Sequence, residues 1–223
     1  MTASTGETTT TPTAGMDVLE AIYTTRSMRR VKPDPIPDGV LRAIMDAAIR
    51  APSGGNSQGW SFLVIRDAAM RQKLEDIYRP AIQSLFQPGG PYAGLTEVED
   101  EAQRKQNQRL ADSARYLGDH MAEAPVIVVP CIRGRGRDIS MGASIYPAVQ
   151  NLMVAARAFG VGSALTTIHR QKEDEVCALL GAPDDVQTAA LIPLGYPRGR
   201  WGVAKRRPVE EVVFVDTWGE PLA

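Results

Sequence analysis

Apolar residues along this chain recur at two periods, and the switches between them predict alternating helices and strands. Residues 16–25 place Met16, Leu19, Ala21, Ile22 and Tyr23 on a helical stripe, with Asp17 in the first turn. Pro33, Pro35 and Pro37 then exclude helix, so the basic run RSMRR before them lies on extended chain. Asp38 is expected to cap a helix over 39–50, with Val40, Leu41, Ile44, Met45, Ala48 and Ile49 as its buried face. SFLVI at 61–65 predicts a strand, and 68–86 a helix with Met70, Leu74, Ile77, Tyr78, Ile82 and Leu85 on one side. QPGGPYAG at 87–94 ends that helix. Residues 95–109 are charged, with few apolar anchors: either a solvated surface segment or a mobile lid over a site. A helix resumes at 113–122, and PVIVVPC at 125–131 predicts a buried strand.

The longest apolar helix is expected over 142–159, through Ile145, Val149, Leu152, Met153, Ala156 and Phe159, with Gly160 as its stop. A short strand over 162–168 ends in Thr166 and Thr167. A helix over 172–180 stops at Gly181, a strand follows over 187–195, and 209–218 forms a strand-like arm. No repeat or composition shift divides the chain. With 223 residues, 43% of them hydrophobic, it is sized for one domain.

A formal charge of −1 gives no global field for nucleic acid or an anionic membrane. RGRGR at 133–137 lacks interleaved aromatics and predicts a surface loop instead of a nucleic-acid patch. The apolar runs are too short to span a bilayer. Cys131 and Cys177 make no disulfide framework, and His120 and His169 belong to no metal-ligand cluster. Residues 1–15, rich in Thr and Gly, have neither the basic nor the apolar region of a signal peptide and predict a disordered tail. Together these features predict a cytoplasmic protein.

The most unusual stretch is APSGGNSQGW at 51–60. Small residues let the main chain approach a flat ligand, whose edge exposed N–H groups and the Asn56 and Gln58 amides can bond. A plain helix-to-strand connector is the competing reading. GVGSAL at 160–165 lacks the third glycine of a dinucleotide fingerprint and follows a helix, so that reading is rejected. There is no nucleophile elbow, phosphate loop or metal-binding helix motif. A ligand-shaped loop without reactive side chains points to a cofactor that does the chemistry. The basic groups Arg26/Arg29 and Lys205/Arg206 are solubilising charge if apart, and a phosphate clamp if they converge.

RSMRR, then APSGGNSQGW with SFLVI, then IYPAVQNLMVAARAFGVGS leading to ALTT, and finally IPLGYP with AKRRP, resemble in order the motifs of the FMN-dependent nitroreductase family. The resemblance spans residues 16–218. It implies an α+β, nitroreductase-like fold with a central, mostly antiparallel sheet flanked by helices. It also implies a domain-swapped homodimer with FMN at the subunit interface. By the same resemblance, Arg26, Ser27 and Arg29 hold the FMN phosphate and pyrimidine end. Pro52, Ser53, Gly54, Gly55 and Asn56 come from the other subunit to line the isoalloxazine. Leu165, Thr166 and Thr167 pass the reactive N5, and Arg206 with Lys205 serves the phosphate. The chain departs from the family pattern at Val31, where an aromatic is common, and at Gly59, where proline is common.

The expected organisation is a tail over 1–15 and one FMN-binding domain over 16–223, with a lid near 88–112 and a C-terminal arm over 209–223. The expected activity is hydride transfer from NADPH or NADH through FMN to a small-molecule acceptor, a nitroaromatic, quinone or enone, by ping-pong kinetics without a catalytic side chain. The alternatives are a flavin-dependent dehalogenase, a flavin-degrading enzyme, or a non-catalytic flavin-binding or storage protein.

Overall fold

The computed structural model describes residues 14–134 and 139–222. Strand β1 (Trp60–Ile65) pairs antiparallel with β2 (Val126–Arg133), from Trp60 opposite Ile132 to Ile65 opposite Ile127. Helix α1 (Val18–Thr24) precedes them, capped by Asp17 Oδ1, which accepts from Leu19 N at 2.8 Å. α2 (Asp38–Ala48) leads to the loop before β1, and α3 (Ala68–Ser84), capped by Asp67, follows β1. The rest comprises α4 (Glu101–His120), α5 (Ile139–Ala143), α6 (Tyr146–Ala158), β3 (Gly162–Ser163), α7 (Glu173–Leu180), β4 (Val186–Thr188) and β5 (Ile192–Gly195). The sheet runs β1-β2-β5-β3, with β4 also on β2, and every pairing is antiparallel.

Successive side chains of β2 point to opposite faces, and both faces are covered. Val126, Val128 and Ile132 pack with Leu41, Ile44 and Ala48 of α2 and Val149, Leu152 and Ala156 of α6. Ile127, Val129 and Cys131 pack against Leu74, Tyr78 and Ile82 of α3, Leu117 of α4 and Val176 of α7. The result is an α+β molecule of three layers, with the sheet in the middle.

Several elements depart from the sequence-based expectation. Asp38 does not cap α2. It sits in the first turn and pairs with Arg66 at 2.6 Å. The helix expected from residue 113 begins earlier: residues 95–100 lie outside any helix and lead to Asp100, which caps α4, and the helix runs unbroken from Glu101 to His120. Glu101–Lys105, Gln103–Asn107 and Gln108–Asp112 pairs at i,i+4 spacing, in a segment rich in the good helix formers Glu, Gln, Lys, Arg and Ala, replace the missing apolar anchors.

The expected helix over 142–159 is broken at Ser144 and Ile145. Pro147 lacks the N–H that an unbroken helix would bond to Ala143, and α6 begins beside it. The expected strand over 187–195 splits in two. β4 pairs with β2 at Cys131 and β5 pairs with it at Val128, leaving Pro130, which has no N–H, between them. Leu191 turns instead to Thr166, exchanging N–H···O bonds of 3.1 and 2.9 Å. Only Gly162 and Ser163 of the expected strand over 162–168 join the sheet as β3. The arm over 209–218 is no strand. It makes a 3-10 turn at Val209–Glu211 and a single bridge between Phe214 and Pro221, because no neighbouring strand of this chain offers it a ladder. The tail reading falls almost wholly outside the described residues, as does most of RGRGR at 133–137.

Candidate functional site

Past α1 the chain becomes extended and lies along the free edge of the sheet. Ser27 bridges Ser163 and Val31 bridges Pro197, while Met28 N donates to Ser163 O at 2.8 Å and Lys32 N to Tyr196 O at 2.7 Å. Two glycines permit so close an approach. A Cβ at Gly162 would stand 2.8 Å from Met28 Cβ, and one at Gly195 the same distance from Val31 Cβ. Met28 and Val31 are thereby buried, while the arginines between and beside them face a cavity of about 280 Å³. Arg26, Ser27, Arg29 and Arg30 line it from this strip, Arg198 and Arg200 from the turn after β5, and Ser113 from α4.

Arg29 also lines a second cavity, of about 200 Å³, with Tyr78, Leu165, Thr166 and Thr167. Burial lowers the Arg29 pKa from its ordinary value, and no carboxylate pairs with it among the described residues. The Tyr78 hydroxyl is buried and lies 2.9 Å from Thr166 Oγ1. Burial also pushes the phenol's pKa up, so it stays a neutral hydrogen-bonding group. Tyr92, Thr167 and Ile168 belong both to this cavity and to a third, of about 740 Å³. The third is walled by apolar Ile132, Met141, Ile145 and Tyr146, with Arg170 and Gln187 as polar groups. The three cavities therefore abut in a row, cationic at one end and roomy, with a mixed apolar and polar lining, at the other.

The loop at 52–56 has the backbone of a specialised site. Gly54–Asn56 forms a 3-10 turn in which Gly55 and Asn56 take φ of 57° and 53°, and Gln58 follows at 48°. Left-handed conformations at Asn56 and Gln58 carry strain that surrounding bonds must hold. Ser53 Oγ accepts from Gln58 N at 3.0 Å, and Ser144 Oγ accepts from Gly54 N at 3.2 Å. The break between α5 and α6 is what leaves Ser144 free to do this. None of Pro52, Ser53, Gly54, Gly55 and Asn56 lines the three cavities of its own chain.

Of the residues singled out from sequence, the structure brings together Arg26, Ser27 and Arg29, and joins Arg29 to Leu165, Thr166 and Thr167. Lys205 and Arg206 are exposed, with Arg206 Nη1 donating to the Lys205 carbonyl at 3.0 Å, and neither lines a cavity in the row. Sequence reasoning passed over Arg198 and Tyr78 and left Arg30 and Arg200 without a role. The signals were the YPRGR turn directly after a strand, and a tyrosine on an otherwise aliphatic stripe.

Elsewhere, the buried cysteine of the central strand is unreactive. Burial, with Cys177 and Glu173 nearby, pushes the Cys131 thiol up to about 12, so it is no nucleophile. No group of three His, Cys, Asp or Glu among the described residues could hold a metal ion, and no described helix is long and apolar enough to cross a membrane.

Comparison with known proteins agrees with this architecture. The chain is 29% identical over 213 residues to an NADH dehydrogenase of Thermus thermophilus, covering 89% of this chain and 96% of that protein. Its fold is similar to that of oxidized iodotyrosine deiodinase bound to FMN and 3-iodo-L-tyrosine, with a TM-score of 0.69, 22% identity, and 91% and 100% of the two chains covered. It is also similar to NfnB, an FMN and NADPH-dependent nitroreductase from Sphigopyxis sp., with a TM-score of 0.66, 23% identity, and 89% and 98% covered. The model of the nitroreductase family matches residues 22–196, which takes in the arginine strip, the small-residue loop and every strand of the sheet, and the chain belongs to that family.

Proposed function

We propose that this chain is an FMN-dependent oxidoreductase that draws hydride from NADPH or NADH and reduces a small acceptor, a nitroaromatic, quinone or enone. The observation that carries the reading is the row of cavities. The donor set fits FMN: the Arg26 and Arg29 guanidinium forks, which pair with no carboxylate among the described residues, suit a phosphomonoester at one end, and a narrow middle with Arg29, Tyr78 and Thr166 suits a heterocycle edge. Bound FMN supplies the two-electron carrier that no side chain here provides.

In this reading Arg26 and Ser27 take the phosphate, with Lys205 and Arg206 closing over it when the exposed segment that bears them swings in. Arg29, half-buried and already stripped of water, faces the pyrimidine edge, while Leu165, Thr166 and Thr167 run along the ring. Leu191 fixes Thr166 from the backbone side and Tyr78 from the side-chain side, so the segment offers its hydroxyls and N–H groups at set positions. The large cavity, with apolar Ile132, Ile145 and Tyr146, polar Arg170, Gln171 and Gln187, and Pro91 and Tyr92 from the lid region at its edge, suits a planar acceptor that carries polar substituents.

Pro52, Ser53, Gly54, Gly55 and Asn56 complete the site of a second copy in a homodimer. That assignment is supported by their exposed, strained turn, which faces none of the cavities of its own chain. The test is direct. Heat-released chromophore from purified protein should run as FMN, and anaerobic NADPH or NADH should bleach it. Release of FAD, or failure to take up any flavin on reconstitution, overturns the proposal.

A further inference from the structure

The cationic cavity holds more positive charge than one phosphate needs. Arg26, Arg29, Arg30, Arg198 and Arg200 all line it, and among the described residues only Arg198 reaches a carboxylate, Glu123 Oε2 at 3.5 Å. Five guanidinium groups face a phosphomonoester that carries about −2 at neutral pH. Like charges gathered with one carboxylate, Glu123, among them repel one another, so an anionic ligand that brings opposing charge is favoured there.

Arg30 and Arg198 are also held in place by contacts that have no other evident use. Arg30 lies over the Tyr116 ring at 4.3 Å, and Tyr116 stacks on His120 at 4.2 Å. His120 Nδ1 lies 2.9 Å from Glu123 Oε1, and Glu123 is the same residue that pairs with Arg198. The ring closes through the backbone: Arg198 N donates to Arg30 O, and Arg198 Nε donates to Val31 O, both at 2.9 Å. Two guanidinium groups are thus oriented at the rim, with the exposed Arg200 two residues beyond Arg198. None of these three belongs to the set that the resemblance gives to the flavin.

We infer that the Arg30–Arg198–Arg200 rim takes a second phosphomonoester, the 2′-phosphate of NADPH, which makes NADPH the preferred reductant. A terminal monoester fits a small cavity at the surface and presents three oxygens to planar forks. The diphosphate is common to NADH and NADPH, so it cannot serve to tell them apart. The inference rests on the reading of the chain as a flavin reductase, and its test keeps the two separate.

With FMN-loaded protein, kcat/KM for NADPH should exceed that for NADH by tenfold or more. That ratio should fall by roughly tenfold in Arg30→Ala and in Arg200→Ala, the loss expected for one charge-assisted hydrogen bond. By calorimetry, the same holoprotein should bind 2′,5′-ADP at least tenfold more tightly than 5′-AMP, and the difference should shrink in both variants. Equal kcat/KM for the two reductants, or a ratio the variants leave unmoved, overturns the inference. So does a loss of FMN affinity that weakens both reductants equally, since all five arginines would then serve the flavin. If neither nicotinamide bleaches the flavin, the reductase reading fails by itself. The calorimetric arm then still decides: arginine-dependent preference for 2′,5′-ADP supports the second phosphate site, and indifference overturns it.

Discussion

His169 has no exposed surface, and its neighbours leave it little choice of protonation. Thr188 Oγ1 donates to Glu173 Oε1 at 3.3 Å, so it accepts from the imidazole Nε2–H at 3.0 Å. Nδ1 has no partner. Burial, with Arg170 beside the ring, pushes the His169 pKa down to about 4. A histidine with a lowered native pKa binds its proton more readily once unfolded. Its stabilising effect is therefore complete above about pH 6.5 and is lost as pH falls through the window from 6.5 to 4. Across that window it should remove roughly 3 kcal/mol of stability. Thermal melts of the protein and of His169→Gln check this: the wild-type Tm should drop steeply below pH 6.5, and the variant should lack that share of the slope. Identical pH profiles would place the imidazole proton elsewhere. Such a residue was invisible to sequence reasoning, because nothing in the letters around His169 tells a buried neutral ring from a surface one.

Among the elements, the edge strip formed by residues 26–32 is tightly constrained. At Gly162 an added methyl group would meet Met28 Cβ at 2.8 Å and Gly195 O at 3.1 Å, and neither neighbour can retreat without lifting the strip from the sheet. Gly162→Ala should cost about 1–3 kcal/mol of stability, the usual range for overpacking, and should weaken FMN binding as well, because Arg26 and Arg29 ride on the displaced backbone. Denaturant melts and flavin titration of the variant measure both effects. A variant as stable as the parent that keeps full flavin affinity would show that the strip does not position the arginines. Elements of this kind were readable where one local signal decided the outcome: the prolines after RSMRR, the stripe of α3, the β-branched run of β2. They were misread where the outcome depended on a partner. Pro147 breaks the long apolar helix and places Ser144 under Gly54, yet the apolar spacing on either side continues as if nothing intervened. Leu191 sits within an apolar run that reads as strand, yet it leaves β2 to hold Thr166. Arg198 joins Arg30 only because Val31 and Pro197 meet on the sheet edge, a pairing 166 residues apart in the numbering (197 − 31).

At the scale of the molecule, much apolar surface is left without cover. Val18, Leu19, Ile22 and Tyr23 of α1 are exposed, as are Val209, Val212, Val213 and Val215 of the C-terminal arm, where Trp218 is 92% accessible. We expect these surfaces and the 52–56 loop to meet a second copy, so that flavin and assembly are linked. A ligand that binds only the dimer favours it by about 2.7 kcal/mol at a hundredfold excess over its Kd. Sedimentation at low concentration should show FMN tightening the dimer, and removal of residues 209–223 should loosen both assembly and flavin retention. A monomer that holds stoichiometric FMN would end the shared-site reading. The strip along β3 has one more effect on the whole molecule. β3 is the last strand of the sheet, and without residues 26–32 its outer backbone groups, with the Tyr196 carbonyl beyond β5, would stand open as a template for a strand from another molecule. The backbone that displays Arg26 and Arg29 is therefore also the barrier to edge-to-edge aggregation, and a variant in which this strip comes loose should lose its protection against precipitating with its own kind.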